Sequence, residues 1–354
     1  MGEVTPDASE SGRTAATAGR TRWGRPATLI SIGVSAALLA AIYRSLDIGL
    51  VVEALLRADR LWLVISVGMI LPITVLRAVR FYWVAPAGSL PGLGEALRLT
   101  LVASALNVFL PAKAGDLIKS YFVATRSHTS ASVALAIAVY ERLCDLFGLI
   151  AWCLLGWLVG KPRIAGLGVP FWATLGAIGA VSAVLISSER TALLVQTWLP
   201  RVLPRGRWLK LREAADGWAG LLRVLGGRRR WVVLYSLALW LAHLFQLWLF
   251  TVALSLRIPF TVSASLSAVA LMAGQLPFTF AGLGARDVAL VVLLARYSTP
   301  EVAAAMGVLI STRSLLPPLL GMPIMRPYLS SAVQDARAWR RKVTLQADRT
   351  QSPL

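Results

Sequence analysis

The amino-acid sequence predicts an all-α, polytopic integral membrane protein with about six full spans and two broken-helix or re-entrant hairpins, giving six to eight transmembrane helices. Of 354 residues, 57% are hydrophobic and only 15% are charged, with a mean hydropathy of +0.68. A soluble domain carries about 25% charged residues, so this chain has too few to cover its own surface. Six predominantly apolar stretches also approach or exceed the length that crosses a bilayer.

The charge balance is strongly basic, with 36 Lys and Arg against 17 Asp and Glu and a formal net charge of +19. In a soluble protein this excess would indicate nucleic-acid binding. In a membrane protein it indicates cytoplasmic loops rich in Lys and Arg, so we expect no nucleic-acid partner. The only two cysteines, Cys144 and Cys153, lie in apolar sequence and fit no metal-ligand spacing.

The chain is predicted to begin with a flexible polar tail over residues 1–26, followed by a retained signal-anchor span over 27–43. Residues 47–60 have apolar side chains at helical spacing and predict a short helix lying at the membrane surface. The next span, 61–76, is followed by a basic and aromatic group typical of a membrane interface. That group comprises Arg77, Arg80, Phe81, Tyr82 and Trp83.

The region 91–126 contains an apolar stretch too short to span. Leu99–Ala112 has only fourteen uncharged residues and stops at a Pro and Gly break that ends at Asp116. A second weakly apolar stretch then runs to Arg126. Two short halves around a break predict a hairpin.

The middle of the chain fixes the predicted topology. Two spans, 130–160 and 164–188, precede the loop 189–230, which carries ten Lys and Arg against three acids. This loop should be cytoplasmic, as an amphipathic or surface segment. The span 231–256 follows it. Counting crossings from the loop places both termini in the cytoplasm of a multi-pass cell-membrane protein.

A second broken segment follows the span 231–256. Residues 258–285 are uncharged but are interrupted by Pro277, Gly282 and Gly284, and a short apolar stretch continues to residue 295. The last span covers 301–325 with Arg313 inside it, and residues 326–354 form a basic tail that should be cytoplasmic.

The two broken segments resemble each other. Each has a half-helix, a polar amide, a Leu-Pro pair, a Gly, and a cation near an Asp. Because the crossing count brings them in from opposite faces, they suggest an inverted repeat, the arrangement that marks transport sites in many carriers. The residues are Asn107, Leu110, Pro111, Lys113, Gly115 and Asp116 in the first, and Gln275, Leu276, Pro277, Gly284, Arg286 and Asp287 in the second.

Such a break exposes backbone N–H groups at a partly positive helix N-terminus. Lys113 and Arg286 would add full charges, which suit an anion such as a lipid phosphate. A second interpretation makes the breaks simple kinks in which Asp116 and Asp287 are N-caps. The sequence leaves both open.

Four charges fall inside predicted spans, where each costs about 2.5–3.5 kcal/mol on insertion scales. They are Glu141, Arg142, Asp145 and Arg313. Arg142 and Asp145 can pair at i,i+3, and we expect Arg313 to lie between Glu141 and Asp145. The cluster either locks helices together or lines a polar path.

His243 lies in an apolar span, and its two interpretations are a buried structural histidine and a catalytic one. The sequence contains no His-x₄-Asp, Asp-x-Asp, Gly-x-Ser-x-Gly, Walker or Cys-x₂-Cys motif. We therefore predict no enzyme activity, no cofactor and no metal.

Taken together, these motifs resemble the transmembrane domain of lysylphosphatidylglycerol synthases, the flippase-like domain family, over residues 27–325. The resemblance rests on Arg77-x-x-Arg80-x-x-Trp83, on the Asn107 to Asp116 segment, on Glu141-Arg142-x-x-Asp145, on Leu276-Pro277 with Gly282-x-Gly284, and on Arg313. The chain has no room after residue 326 for the soluble aminoacyl-transfer domain of full synthases. The resemblance therefore implies a stand-alone flippase-like protein.

The leading hypothesis is movement of an anionic lipid or lipid-linked sugar between leaflets, with enzymes of the same pathway encoded separately. Substrate contacts are expected from Lys113, Asp116, Asn107, Gln275, Arg286 and Asp287, and a polar path from Glu141, Arg142, Asp145 and Arg313. The alternatives are a membrane-embedded transferase acting on a lipid and a non-transporting accessory subunit of a glycolipid pathway.

Overall fold

The computed structural model describes residues 24–44, 46–110, 115–127, 129–162, 167–190, 197, 205–275 and 283–351, and these residues form α-helices and connecting turns without a strand. The predicted all-α class is confirmed. The helices are α1 (Gly24–Arg44), α2 (Ile48–Leu56), α3 (Arg60–Gly68), α4 (Ile70–Val84), α5 (Leu93–Phe109), α6 (Asp116–Ser127), α7 (Ala131–Gly160), α8 (Val169–Ser187), α9 (Arg205–Leu225), α10 (Arg228–Ala253), α11 (Phe260–Ala273), α12 (Ala285–Leu294) and α13 (Pro300–Gln351).

Five apolar helical segments among the described residues are long enough to cross a membrane. They coincide with five of the six predicted spans. The sixth predicted span corresponds to α1, in which Gly33–Ile42 counts as a shorter apolar helix. The five long segments are Arg60–Val84, Ala131–Gly160, Val169–Ser187, Arg228–Ala253 and Pro300–Gln334.

Local capping explains where several helices begin. The Asp47 carboxylate accepts from the Gly49 amide at 2.8 Å and starts α2, the short helix predicted within 47–60. The Asp59 carboxylate accepts from the Leu61 amide at 2.9 Å and starts α3. These side chains satisfy backbone donors that have no partner inside the helix.

Both broken segments form pairs of short helices that pack against each other. The first pair is α5 and α6, with 17 and 12 residues, and the second is α11 and α12, with 14 and 10. None reaches the ~20 residues of a usual spanning helix. The connecting residues 111–114 and 276–282, including Lys113 and the Leu276-Pro277 pair, lie outside the described residues.

The chain contains two halves with the same order of elements: a span, a helix that is not a candidate span, a span, a two-helix hairpin and a long span. Their packing is reciprocal, because α5 of the first half packs on α13 while α11 of the second packs on α7. The helices that are not candidate spans follow the same rule, with α2 on α13 and α9 on α7. Three crossings per half, an odd number, would place the two halves in opposite orientations, which supports the predicted inverted repeat.

Helices are present in two regions that the sequence analysis described as a basic loop and a basic tail. The basic segment 189–230 contains α9, and the C-terminal region from 326 continues α13 up to Gln351. The helix α13 contains four prolines, each of which removes a backbone hydrogen-bond donor from the helix. They are Pro317, Pro318, Pro323 and Pro327.

Candidate functional site

A polar cavity of about 260 Å³ lies between the two halves of the protein. Its wall is formed by α4 and α5 of the first half, α10 and α13 of the second, and α7, with the ends of α11 and α12. The charged and amide lining residues are Arg77, Asn107, Arg142, Asp145, His243, Gln246, Gln275, Arg286 and Arg313.

Most site residues predicted from sequence converge on this cavity. Asn107 and Gln275 come from the two hairpins and line the same space. Arg286 and three residues of the predicted polar path line it as well. Behind the wall lie Asp116, Glu141 and Asp287, each only 5% exposed. Lys113 lies outside the described residues.

A buried ion network closes one side of the cavity. Arg80 donates to the Asp145 carboxylate at 2.6 Å and lies 3.8 Å from Glu141. Lys119 donates to Glu141 at 2.7 Å and lies 3.5 Å from Asp116. Arg142 pairs with Asp116. Three acids and three cations therefore balance in charge, which is what burial of so many ions requires.

The cation that lies between Glu141 and Asp145 is Arg80, whereas the sequence suggested Arg313. The expected pairing of Arg313 with Glu141 and Asp145 is wrong, because α4 rather than α13 delivers the bridging cation. The sequence pattern predicts that Arg80 belongs to a basic and aromatic group at the membrane interface, yet its side chain is buried, with 3% exposed. The i,i+3 spacing of Arg77 and Arg80, which puts both on one helix face, was the available signal.

Lys119 was also missed. It lies three residues after Asp116 on α6 and bridges the first hairpin to Glu141 of α7. A lysine in a weakly apolar segment gives no indication by itself of which helix it will face. The i,i+3 relation to Asp116 was again the available signal.

The second hairpin is held by its own ion pair. Arg286 donates to Asp287 at 2.9 Å and to the Ser311 hydroxyl of α13 at 2.6 Å. The Gly284 amide donates to Asp287 at 3.0 Å, which caps α12. A Cβ on Gly307 would lie 2.6 Å from the Asp287 carboxylate, so a glycine there makes room for it. Asp287 is therefore both a cap and the counter-ion of Arg286.

Gly115, just before α6, packs closely against the end of α5. A Cβ on Gly115 would lie 2.5 Å from the Ala103 carbonyl oxygen and 2.7 Å from the Asn107 side-chain oxygen. That Asn107 oxygen is buried without a hydrogen-bond partner among the described residues, and the side chain lines the cavity. A ligand hydroxyl or amide could satisfy it.

Two guanidinium groups of the cavity have no carboxylate partner in the described part of the chain. Arg142 pairs with Asp116 and Arg286 with Asp287, whereas Arg77 makes no ion pair there. Arg313 donates to the neutral ring of His243, Nη2 to Nδ1 at 2.8 Å, and its Nη1 is buried without a partner. Because a guanidinium group without a paired carboxylate can form charge-assisted hydrogen bonds with an anion, these two groups favour an anionic ligand.

A comparison with protein families gives one match. The model of the family described as Lysylphosphatidylglycerol synthase TM region matches residues 28–321, which is most of the chain and includes every cavity-lining residue. A search of curated proteins found no sequence match.

Proposed function

The chain belongs to the lysylphosphatidylglycerol synthase TM region family, and from that membership we propose that it moves an anionic lipid or lipid-linked sugar between leaflets of the cytoplasmic membrane. The single observation that carries the proposal is the cavity in which Arg77 and Arg313 lack a carboxylate partner. A phosphate headgroup would supply the missing negative charge.

The chemistry of a phosphodiester suits this cavity. Guanidinium groups bind phosphate oxygens through paired, charge-assisted hydrogen bonds. The amides of Asn107 and Gln275 would then contact hydroxyls of the headgroup. Arg286 would orient the second hairpin through Asp287 rather than bind phosphate with a free charge, and Lys113 stays a predicted contact of the first hairpin.

The packing of two similar halves around one cavity supports a transport function rather than an enzymatic one. Binding sites between repeats, at broken helices, are the usual arrangement in carriers that alternate access. We also propose that the protein is not a transferase. A catalytic histidine is oriented by a carboxylate that accepts its Nδ1–H, whereas the Nδ1 of His243 accepts from Arg313.

The test is identification of the lipid that co-purifies with the protein. Mild detergent extraction and mass spectrometry should find anionic phospholipid or lipid-linked sugar enriched over the bulk membrane. The double variant Arg77→Gln, Arg313→Gln should lose this enrichment, while Arg57→Gln, a change in an exposed ion pair on α2, should keep it. Equal enrichment in all three proteins would contradict the proposal.

A further inference from the structure

The contact between Arg313 and His243 fixes the state of the imidazole. Arginine stays charged and only donates, so at 2.8 Å its Nη2–H must point at a lone pair on His243 Nδ1. The single ring proton of the neutral imidazole is then on Nε2. Nδ1 can accept a proton only after Arg313 turns away.

The charges that face His243 come from several elements and are mostly positive. Asp145 is the one acid among them, and its carboxylate already pairs with Arg80. The packed helices α8 and α11 contain no ionisable residue. The facing groups are Arg77 and Arg80 on α4, Arg142 and Asp145 on α7, Arg286 on α12 and Arg313 on α13.

An anion in the cavity would change the hydrogen bonding of His243 Nδ1. Its oxygens would accept the N–H groups of Arg313 and Arg77, which would release the lone pair of His243 Nδ1. A proton from water could then bind Nδ1, and the new N–H could donate to the same anion. Binding of an anion in the cavity and binding of a proton at His243 would therefore favour each other.

We infer that His243 is a proton-binding site linked to the anion site, so that an anionic headgroup and a proton enter the cavity together. The inference rests on the proposed function and specifies its energy source. A pH difference across the membrane would drive net movement of the anion, because each occupied cavity carries one proton from the aqueous phase and releases it with the anion. No nucleotide is needed for this coupling.

A structural role for His243 would give a different behaviour. If the imidazole only holds Arg313 in position, its protonation would not depend on whether lipid is bound. The two roles can be separated by observing the ring itself. The chain has only two histidines, His128 and His243, so the variant His128→Gln leaves a single imidazole to observe.

The experiment uses the full-length His128→Gln protein with ¹⁵N-labelled histidine in micelles of a neutral detergent. NMR without lipid should show the Nε2–H tautomer of His243. Adding short-chain phosphatidylglycerol should raise the pH at which half of the imidazoles are protonated by about one unit, the lower end of the effect of a neighbouring opposite charge. Short-chain phosphatidylcholine, with no net charge, should leave it unchanged.

Affinity measurements provide the second arm. Calorimetry on the protein that retains His243 should show phosphatidylglycerol binding about tenfold more tightly at low pH. A one-unit shift in the titration of the imidazole corresponds to a tenfold change in lipid affinity. In His243→Gln the affinity should no longer depend on pH, since glutamine can accept from Arg313 but cannot take up the proton.

The outcomes separate the two claims. Binding of phosphatidylglycerol with no change in the His243 titration, or the same pH dependence in His243→Gln, would overturn the proton-binding inference and leave the proposed lipid site intact. Failure of anionic lipid to bind at any pH would overturn the proposed function, and the inference with it.

Discussion

Arg80 lies between Glu141 and Asp145, with a 2.6 Å hydrogen bond to Asp145 and a 3.8 Å ion pair with Glu141. This places a cation of α4 against two acids of α7, 61 and 65 positions later in the sequence. The first hairpin joins the same network through Lys119 and Asp116. The network therefore sets the position of one wall of the cavity in which we propose the anion site.

Replacing Arg80 should destabilise the protein severely. Arg80→Met leaves two buried carboxylates without their shared cation, and removal of one partner from a buried pair costs about 3–5 kcal/mol. We expect a large fall in melting temperature in detergent. Arg57→Met is the control, because Arg57 pairs with Glu53 at the surface with its own side chain 79% exposed, and such pairs contribute about 0–1 kcal/mol. Equal melting temperatures for both variants would contradict the structural role of Arg80.

Gly115 should not tolerate a side chain. The Cβ of Gly115→Ala would overlap the Ala103 carbonyl and the Asn107 side chain, and overpacking of this kind costs about 1–3 kcal/mol. Gly68→Ala is the matched control, since a Cβ at Gly68 meets no atom within 4 Å. Thermal denaturation of the two variants compares them. If Gly115→Ala melts like Gly68→Ala, Gly115 does not pack against Ala103 and Asn107 as described.

The variants Asp59→Asn at the start of α3 and Asp287→Asn in α12 should differ sharply in their free energy of unfolding. Asp287→Asn removes the negative charge that balances buried Arg286, so it should cost about 3–5 kcal/mol. Asp59 accepts from the backbone amides of Leu61 and Trp62, and asparagine caps about as well as aspartate. Asp59→Asn should therefore be nearly neutral in a melting experiment. A neutral Asp287→Asn would show that the Arg286 pair does not hold the second hairpin.

The basic segment 189–230 is predicted to be cytoplasmic, together with both termini. In a variant lacking Cys144 and Cys153, a cysteine at Gly227 should not react with a membrane-impermeant maleimide in intact cells. A cysteine at Gly168, before α8, should react, because it lies one span away on the opposite side. Both sites have room for a side chain. Labelling at Gly227 alone would reverse the proposed orientation.

The positions of the helices could be predicted from sequence, because runs of apolar residues and the Pro and Gly breaks are local signals. The ion-pair and hydrogen-bond partners of the buried charged residues could not be predicted from sequence. Asp145 and Arg142 share a helix, and their i,i+3 spacing correctly suggested an interaction, seen at 3.9 Å. The pairing of Asp145 with Arg80 depends on how α4 rotates against α7, and the contact of Arg313 with His243 depends on how α13 crosses α10. Sequence periodicity specifies neither.

Translocation of fluorescent phosphatidylglycerol in proteoliposomes, with a melting curve on each sample, tests the central claim most directly. Arg77→Gln and Arg313→Gln should each weaken lipid binding by about 1.5–3 kcal/mol, the range for charge-assisted hydrogen bonds, and so slow translocation at limiting lipid about ten- to a hundredfold. The melting temperature of each variant should stay close to that of the parent, because among the described residues no carboxylate lies within ion-pair distance of either arginine, and Asp145 keeps its pair with Arg80. Full translocation by the Arg77→Gln, Arg313→Gln double variant would contradict the assignment of these two residues as the anion site.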